Sequence, residues 1–233
     1  MLQLEVHGNS KLNFKNRLHD KDIMPIYKSL LDVAPSMILI DLRYNRITDL
    51  GAQMLSELII RCHNLAILDL SGNEIELKGT EYLTNALKNC KNLQSLNLNG
   101  NRIQTEGAMR ISELLFTHIK LLHLNLGNNE IDHDGMIAVS SVLNCSNYML
   151  EVLNVDNPRY VSVGVECPTH FGKMLANNDT LEKISLRKHK LTCEGITIIS
   201  EHLMENKRLR VLDLNCNQIA FQGFEALAKF LAN

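Results

Sequence analysis

Apolar residues recur along this chain in two alternating rhythms. In Leu93-Gln94-Ser95-Leu96-Asn97-Leu98 they fall on every second or third position, and beyond Ile103 and Gly107 the rhythm changes to steps of three and four through Ala108, Ile111, Leu114 and Leu115. The first pattern predicts a short strand whose alternate side chains share one face. The second predicts a helix with one apolar side. Counting 28 residues back from Leu96 lands on Leu68, and 28 more on Ile40. Going forward, the frame meets Leu124, Leu153, Ile184 and Leu212, at steps of 28, 29, 31 and 28.

One such strand buries almost nothing by itself. Stacked copies, with strands about 4.8 Å apart in a parallel sheet, build a continuous core, so the sustained period predicts an α/β solenoid forming one quasi-linear domain. Leu93, Leu96 and Leu98 point inward, while Ser95, Asn97 and Asn99 face solvent. An Asn recurs at the ninth position of the unit as Asn45, Asn73, Asn101, Asn129 and Asn217. There the chain turns out of the sheet, and the amide can satisfy backbone groups of neighbouring coils that burial would leave unpaired. Glycine follows four residues after the Ile position (Gly51, Gly79, Gly107, Gly135, Gly164, Gly195, Gly223), and Thr48, Asp49, Thr105, Asp132 and Thr192 are placed to cap the helices. This unit of strand, turn, glycine and long helix resembles the ribonuclease-inhibitor-like class of leucine-rich repeats. The resemblance implies a leucine-rich-repeat solenoid curved into a horseshoe, with the parallel β-sheet on the concave face and α-helices on the convex face.

Residues 1–35 form a degenerate N-terminal repeat or cap. Leu2, Leu4 and Val6 alternate, His7-Gly8-Asn9-Ser10 signals a turn, Leu12 to Leu18 is a repeat one residue short, and Asp20, Asp22 and Pro25 suit the first turn of a helix. Residues 36–233 then hold seven repeats in one continuous solenoid, irregular at 150–180. In that irregular repeat Pro158 stands where Asn is expected, offering neither an amide side chain nor an N–H. His189 fills the same slot one repeat later. Two readings fit: tolerated drift, or an array locally opened to present a surface. Asn16-Arg17-Leu18-His19-Asp20-Lys21-Asp22-Ile23, Asp41-Leu42-Arg43-Tyr44-Asn45, the Asn157-Pro158-Arg159-Tyr160 coil with Gly172-Lys173-Met174-Leu175, and Lys188-His189-Lys190 are together similar to one branch of leucine-rich-repeat proteins. That resemblance implies a non-enzymatic protein acting through partners in cytoplasmic, nucleolar or ciliary-axonemal settings.

Composition narrows the chemistry. A formal net charge of −2 over 233 residues argues against a nucleic-acid-binding domain, which usually shows a pI above about 9. With no Trp and 5% aromatics, a binding hot spot must rest on Tyr and Arg. Cys62, Cys90, Cys145, Cys167, Cys193 and Cys216 lack the clustering of a zinc or disulfide site. They are expected to be free, slow-reacting thiols at core or coil-junction positions of a soluble intracellular protein. No N-terminal run resembles a signal peptide, and no apolar stretch is long enough to span a bilayer, so no membrane partner is expected. The outward column Asn13, Asp41, Asp69, Asn97, Asn125, Asn154, Ser185 and Asp213 lacks the paired geometry of acid–base catalysis. Asp132-His133-Asp134 lies at a turn-to-helix junction, where capping is its expected job. Catalytic residues, metal ligands and cofactors are therefore not expected.

The surface expected to bind is the late concave face with its strand-exit edge. Lys183, Arg187 and Lys188 belong to the coil 181–191, Arg210 to the next, and Arg159 and Tyr160 to the interrupted coil before. Stacking should merge all six into one basic patch with an aromatic at its edge. Such a patch suits an acidic segment of a protein partner, and is too small to neutralise many phosphates of a nucleic acid. The expected function is a non-enzymatic interaction scaffold or adaptor; the alternative is a regulator of an enzyme, an inhibitor or GTPase-activating protein of the ribonuclease-inhibitor-like class. At the far end Ala226, Leu227, Phe230 and Leu231 make no polar cap. That end is expected to continue in further repeats or to be covered by a partner.

Overall fold

The computed structural model describes residues 1–8, 17–117, 120–145, 149–160 and 164–231. Eight strands among them, β1 (Leu2–Glu5), β2 (Met37–Asp41), β3 (Ile67–Asp69), β4 (Ser95–Asn97), β5 (His123–Asn125), β6 (Val152–Asn154), β7 (Lys183–Ser185) and β8 (Val211–Asp213), form one parallel sheet in chain order. A helix follows each strand: α1 (Asp20–Leu30), α2 (Asp49–Ile59), α3 (Leu77–Leu87), α4 (Gln104–Thr117), α5 (His133–Cys145), α6 (Glu166–Asn177), α7 (Cys193–Leu203) and α8 (Phe221–Leu231). Packed helices need about 8–10 Å between axes and paired strands only about 4.8 Å. The sheet therefore takes the inner, concave side.

The sequence period is the pairing register. Ile40 pairs with Leu68, Leu68 with Leu96, Leu96 with Leu124, and so through Leu153 and Ile184 to Leu212, unbroken by the 29- and 31-residue steps. These residues from Ile40 to Ile184, with Leu42, Leu70, Leu98, Ile75 and Ile103, are fully buried. Each ninth-position Asn ties two coils together. Asn73 donates through Nδ2 to its own coil at Leu70 O (2.9 Å) and to the previous coil at Leu42 O (3.0 Å), while its Oδ1 accepts from Ile47 N (3.1 Å). Asn101 repeats this on Leu98, Leu70 and Ile75. The residue just before the Asn slot takes a left-handed backbone in each coil from Tyr44 to Cys216, including the non-glycines Tyr44, Asn128, Asn157, Lys188 and Cys216 with φ of 56–61°. That conformation costs an L-residue about 1–2 kcal/mol, which the ladder bonds offset.

Helix starts follow expectation in part. Thr48 accepts from Leu50 N, Thr192 from Gly195 N and Asp132 from Gly135 N, as caps do. Asp49 lies inside the first turn of α2 and reaches the next coil instead, where its Oδ1 accepts from Glu76 N at 2.7 Å. Asp20 does the same for Thr48 N and Gly51 N. Thr105 is the second residue of α4 and not its cap, and Pro25 falls in the second turn of α1 rather than the first. Gly164 precedes α6 altogether. A Cβ there would meet nothing within 4 Å, whereas one on Gly107 would come within 2.4 Å of Ile103 Cγ2. Pro168, third in α6, takes the packing place that glycine holds in α2, α3 and α7, and Gly195 lies against its ring.

None of the six cysteines is in a disulfide. Cys62, Cys90 and Cys167 are buried, whereas Cys145 at the end of α5 and Cys216 in its left-handed turn are exposed, so the expected core or coil-junction positions do not shield every thiol. No described helix is long and apolar enough to cross a membrane. The short repeat expected over Leu12 to Leu18 lies largely outside the described residues.

Candidate partner-binding surface

Four of the six expected contact residues come together on the last two coils. Lys183 begins β7 and is exposed beside Val211 of β8. Arg187 follows the strand, its backbone N–H held by Asp156 Oδ1 at 2.9 Å, and Lys188 occupies the left-handed turn with its N–H on Asn215 O at 3.2 Å. Arg210 enters β8 with its N–H on Glu182 O at 2.7 Å. The other two go elsewhere. Arg159 is exposed, but its guanidinium turns back to the previous coil, 4.0 Å from Glu130. Tyr160 is only 7% exposed and joins the core. The frame explains why: counted from Leu150, residue 160 fills the inward slot that Ile47, Ile75, Ile103, Ile131 and Leu191 fill in other coils. That signal was present in the sequence.

The patch is not purely basic. Asp156 and Asp213 lie among the cations, and both are engaged from within the chain. Asp156 accepts from Ser185 Oγ (2.6 Å) and Arg187 N through Oδ1 and from Asn154 Nδ2 through Oδ2 (3.1 Å). Asp213 accepts from Asn215 N and lies 4.0 Å from the Arg187 guanidinium. Lys183, Lys188 and Arg210 form no ion pair among the described residues. At the opposite end of the sheet, Asp41 stands 2.9 Å from His7 Nε2 and 3.3 Å from Arg43, so the Arg43 charge is answered within the chain. A depression of about 410 Å³ links Lys183 and Arg187 to His123, Asn125 and Ser95 on earlier strands. His123 shares with Ser95 and Lys183 the third, outward position of the unit, which marks it in the sequence as a further concave-face residue.

The interrupted coil closes by other chemistry. His189 Nε2 lies 2.8 Å from Val155 O, the carbonyl that corresponds to Leu42 O under Asn73. With the proton on Nε2, Nδ1 is left to accept from the Tyr160 hydroxyl at 3.2 Å. His133 and Phe171 complete the packing, at ring-centroid distances of 4.4 Å from Tyr160 and 5.8 Å from His189. Burial lowers the His189 pKa to about 4, outweighing the Val155 carbonyl and Asp156, so the imidazole is neutral. Burial likewise raises the Tyr160 hydroxyl well above its usual range. Pro158 costs the ladder an amide, but Arg159 N still reaches Ile131 O at 2.7 Å. The described part of this coil is thus a packed substitute for the Asn ladder and not an opened surface. Among the described residues, no group of three His, Cys, Asp or Glu side chains is arranged to hold a metal ion.

The sequence model described as Leucine Rich repeat matches residues 35–56, 61–83, 89–112, 117–140 and 205–228, leaving out the stretch that holds Pro158 and His189. Similar proteins include leucine-rich repeat-containing protein 34 of Mus musculus, 30% identical over 88 residues, and that of Homo sapiens, 33% identical over 69 residues. These matches cover 38% and 30% of this chain but only 21% and 15% of the relatives' lengths. Among solved structures, Leiomodin-1 Actin-Binding Site 2 superposes with a TM-score of 0.47 and 24% identity over 54% of this chain and 70% of that one. With the repeat frame, the amide ladder and the matched repeats all falling on the same coils, this chain belongs to the leucine-rich repeat family.

Proposed function

We propose that this protein is an interaction scaffold that docks an acidic segment of a protein partner on the late concave face, with Lys183, Arg187, Lys188 and Arg210 as the contacts. Repeat solenoids bind through extended concave surfaces. The observation that supports this end of the sheet is its uncompensated charge: Lys183, Lys188 and Arg210 have no carboxylate partner among the described residues, whereas Arg43 at the early end does. Arg159 contributes at most from the rim, and Tyr160 is withdrawn into the core. A nucleolar or ciliary-axonemal setting is supported by the likeness to leucine-rich repeat-containing protein 34 alone.

The test is fluorescence anisotropy with a Glu-rich peptide across a salt series. Arg187→Glu combined with Lys188→Glu should weaken binding by about tenfold or more, since each surface charge pair contributes up to about 1 kcal/mol. Arg43→Glu should leave it unchanged. Equal binding by all three forms would move docking to the helical face. Stimulated GTP hydrolysis by a small GTPase panel would favour the enzyme-regulator alternative instead.

A further inference from the structure

Along β7 the concave face changes sign twice. Lys183, Ser185 and Arg187 share the outward side of one extended run, because alternate residues face the same way. Lys183 and Arg187 are exposed, whereas Ser185 between them is only 5% exposed and forms the floor of a well. Two carboxylates flank that floor. Asp156 reaches across from the preceding coil to accept from Ser185 Oγ, and Asp213 is the residue paired with Ser185 on β8. The bonds given to Asp156 come from neutral donors, Ser185 Oγ, Arg187 N and Asn154 Nδ2, so its charge has no cation partner among the described residues. Asp213 has the Arg187 guanidinium 4.0 Å away. Lys183 is flanked in register by Val152 and Val211, which place no acid at its own level. From β2 to β8, no other strand has a Lys or Arg at both outer positions, and only β2 has one at either.

We propose that the partner segment docks in extended form along β7 and carries a basic residue between two acidic ones, in the spacing Glu-x-Lys-x-Glu or its Asp and Arg equivalents. This rests on the docking of an acidic segment at this face and narrows which acidic segment fits. A parallel strand rises about 3.3 Å per residue, so Lys183, Ser185 and Arg187 follow one another at about 6.6 Å and the two cations stand about 13 Å apart. An extended partner has the same two-residue step. Its outer acids therefore meet Lys183 and Arg187 together, and its central base points into the well, at Asp156 and Asp213. The pattern reads the same in either chain direction. A helix fits less well: residues four apart advance about 6 Å but turn about 40° each time, so the third contact faces about 80° away from the first. A segment acidic throughout sets a carboxylate against Asp156 and Asp213, where like charges repel. Arg210 and Lys188, beyond the two ends of the same line, favour acids outside the outer pair.

Nuclear magnetic resonance titration of the isotopically labelled full chain tests this, with three Ser-based peptides of equal length that differ only in the order of two Glu and one Lys. The first carries Glu-Ser-Lys-Ser-Glu, the second Glu-Ser-Glu-Ser-Lys, and the third the helical spacing Glu-Ser-Ser-Ser-Lys-Ser-Ser-Ser-Glu. The first should bind about tenfold more tightly than the second, in which two attractions between exposed charges become two repulsions, and should shift the amides of Ser185 and Arg187. The third should bind no better than the second. Asp156→Asn keeps an oxygen for Ser185 Oγ and Arg187 N but removes the charge. It should cut the preference by about threefold while tightening the binding of a Glu-rich peptide, and Asp213→Asn should act in the same direction. If the Glu-rich peptide binds but the three peptides bind alike, the helical spacing wins, or the preference survives in both variants, this proposal is overturned and docking at the face stands. If the Glu-rich peptide does not bind the unaltered chain, the docking falls and this proposal falls with it.

Discussion

Replacing His189 by Asn should change how stability depends on pH, by an amount the structure allows to be worked out. In the folded protein His189 is neutral, with its pKa lowered from 6.5 to about 4, first by burial and against the opposing pull of Val155 O and Asp156. In the unfolded chain the same imidazole titrates near 6.5. Between those two values the unfolded state binds more protons, so folding weakens as pH falls from about 6.5 towards 4 and the loss levels off below. At 1.36 kcal/mol per pKa unit, the loss reaches about 2 kcal/mol by pH 5 and about 3 kcal/mol at full extent. His189→Asn cannot take up that proton, and its Nδ2 can take over the bond to Val155 O that His189 Nε2 makes at 2.8 Å. The variant also takes from the Tyr160 hydroxyl its 3.2 Å partner and leaves it only the Cys167 thiol, a weaker one, at a cost of about 0.5–1.5 kcal/mol at pH 7. Urea unfolding of both proteins from pH 7.5 to 4.5 should therefore show the variant less stable at neutral pH and the gap shrinking by about 2 kcal/mol at pH 5. Carboxylates elsewhere titrate alike in both chains and drop out of the difference. Parallel pH profiles would refute both the neutral state of His189 and its role as the ladder's substitute.

The glycines give a paired test. Gly107→Ala should destabilise by about 1–2 kcal/mol, the cost of overpacking a Cβ against Ile103 Cγ2 less the gain in helix propensity, whereas Gly164→Ala, with open space around its Cβ, should shift the urea midpoint little or slightly upward. The thiols should separate by environment under alkylation at pH 8. Cys145 and Cys216 are exposed and should be modified first, while burial pushes Cys62 to about 12 and Cys90 and Cys167 to about 11, leaving almost no thiolate. Mass spectrometry of the folded protein that found Cys62 or Cys90 labelled as fast as Cys216 would contradict this.

The sequence by itself determined the repeat, the sheet register and the ladder. In a stacked array each long-range contact is a local count repeated, so the step from Leu68 to Leu96 in the chain is also their pairing in the sheet. The same counting placed Asn73 and Asn101 on carbonyls of the preceding coil, and it also marked position 160 as an inward slot, although the aromatic there suggests a surface anchor. What counting could not reach was anything set by how one coil's side chains lean onto the next. Arg159 turns back to Glu130, Asp156 takes Ser185 and Arg187 N, and Pro168 takes a glycine's packing place because of neighbours 29 or so residues away whose rotamers carry no period. The substitution of a Tyr–His pair for two amides is of the same kind. Neither residue alone spells a ladder, and only the packed core, by excluding water and holding the imidazole neutral, lets one ring nitrogen donate to Val155 O while the other accepts from Tyr160.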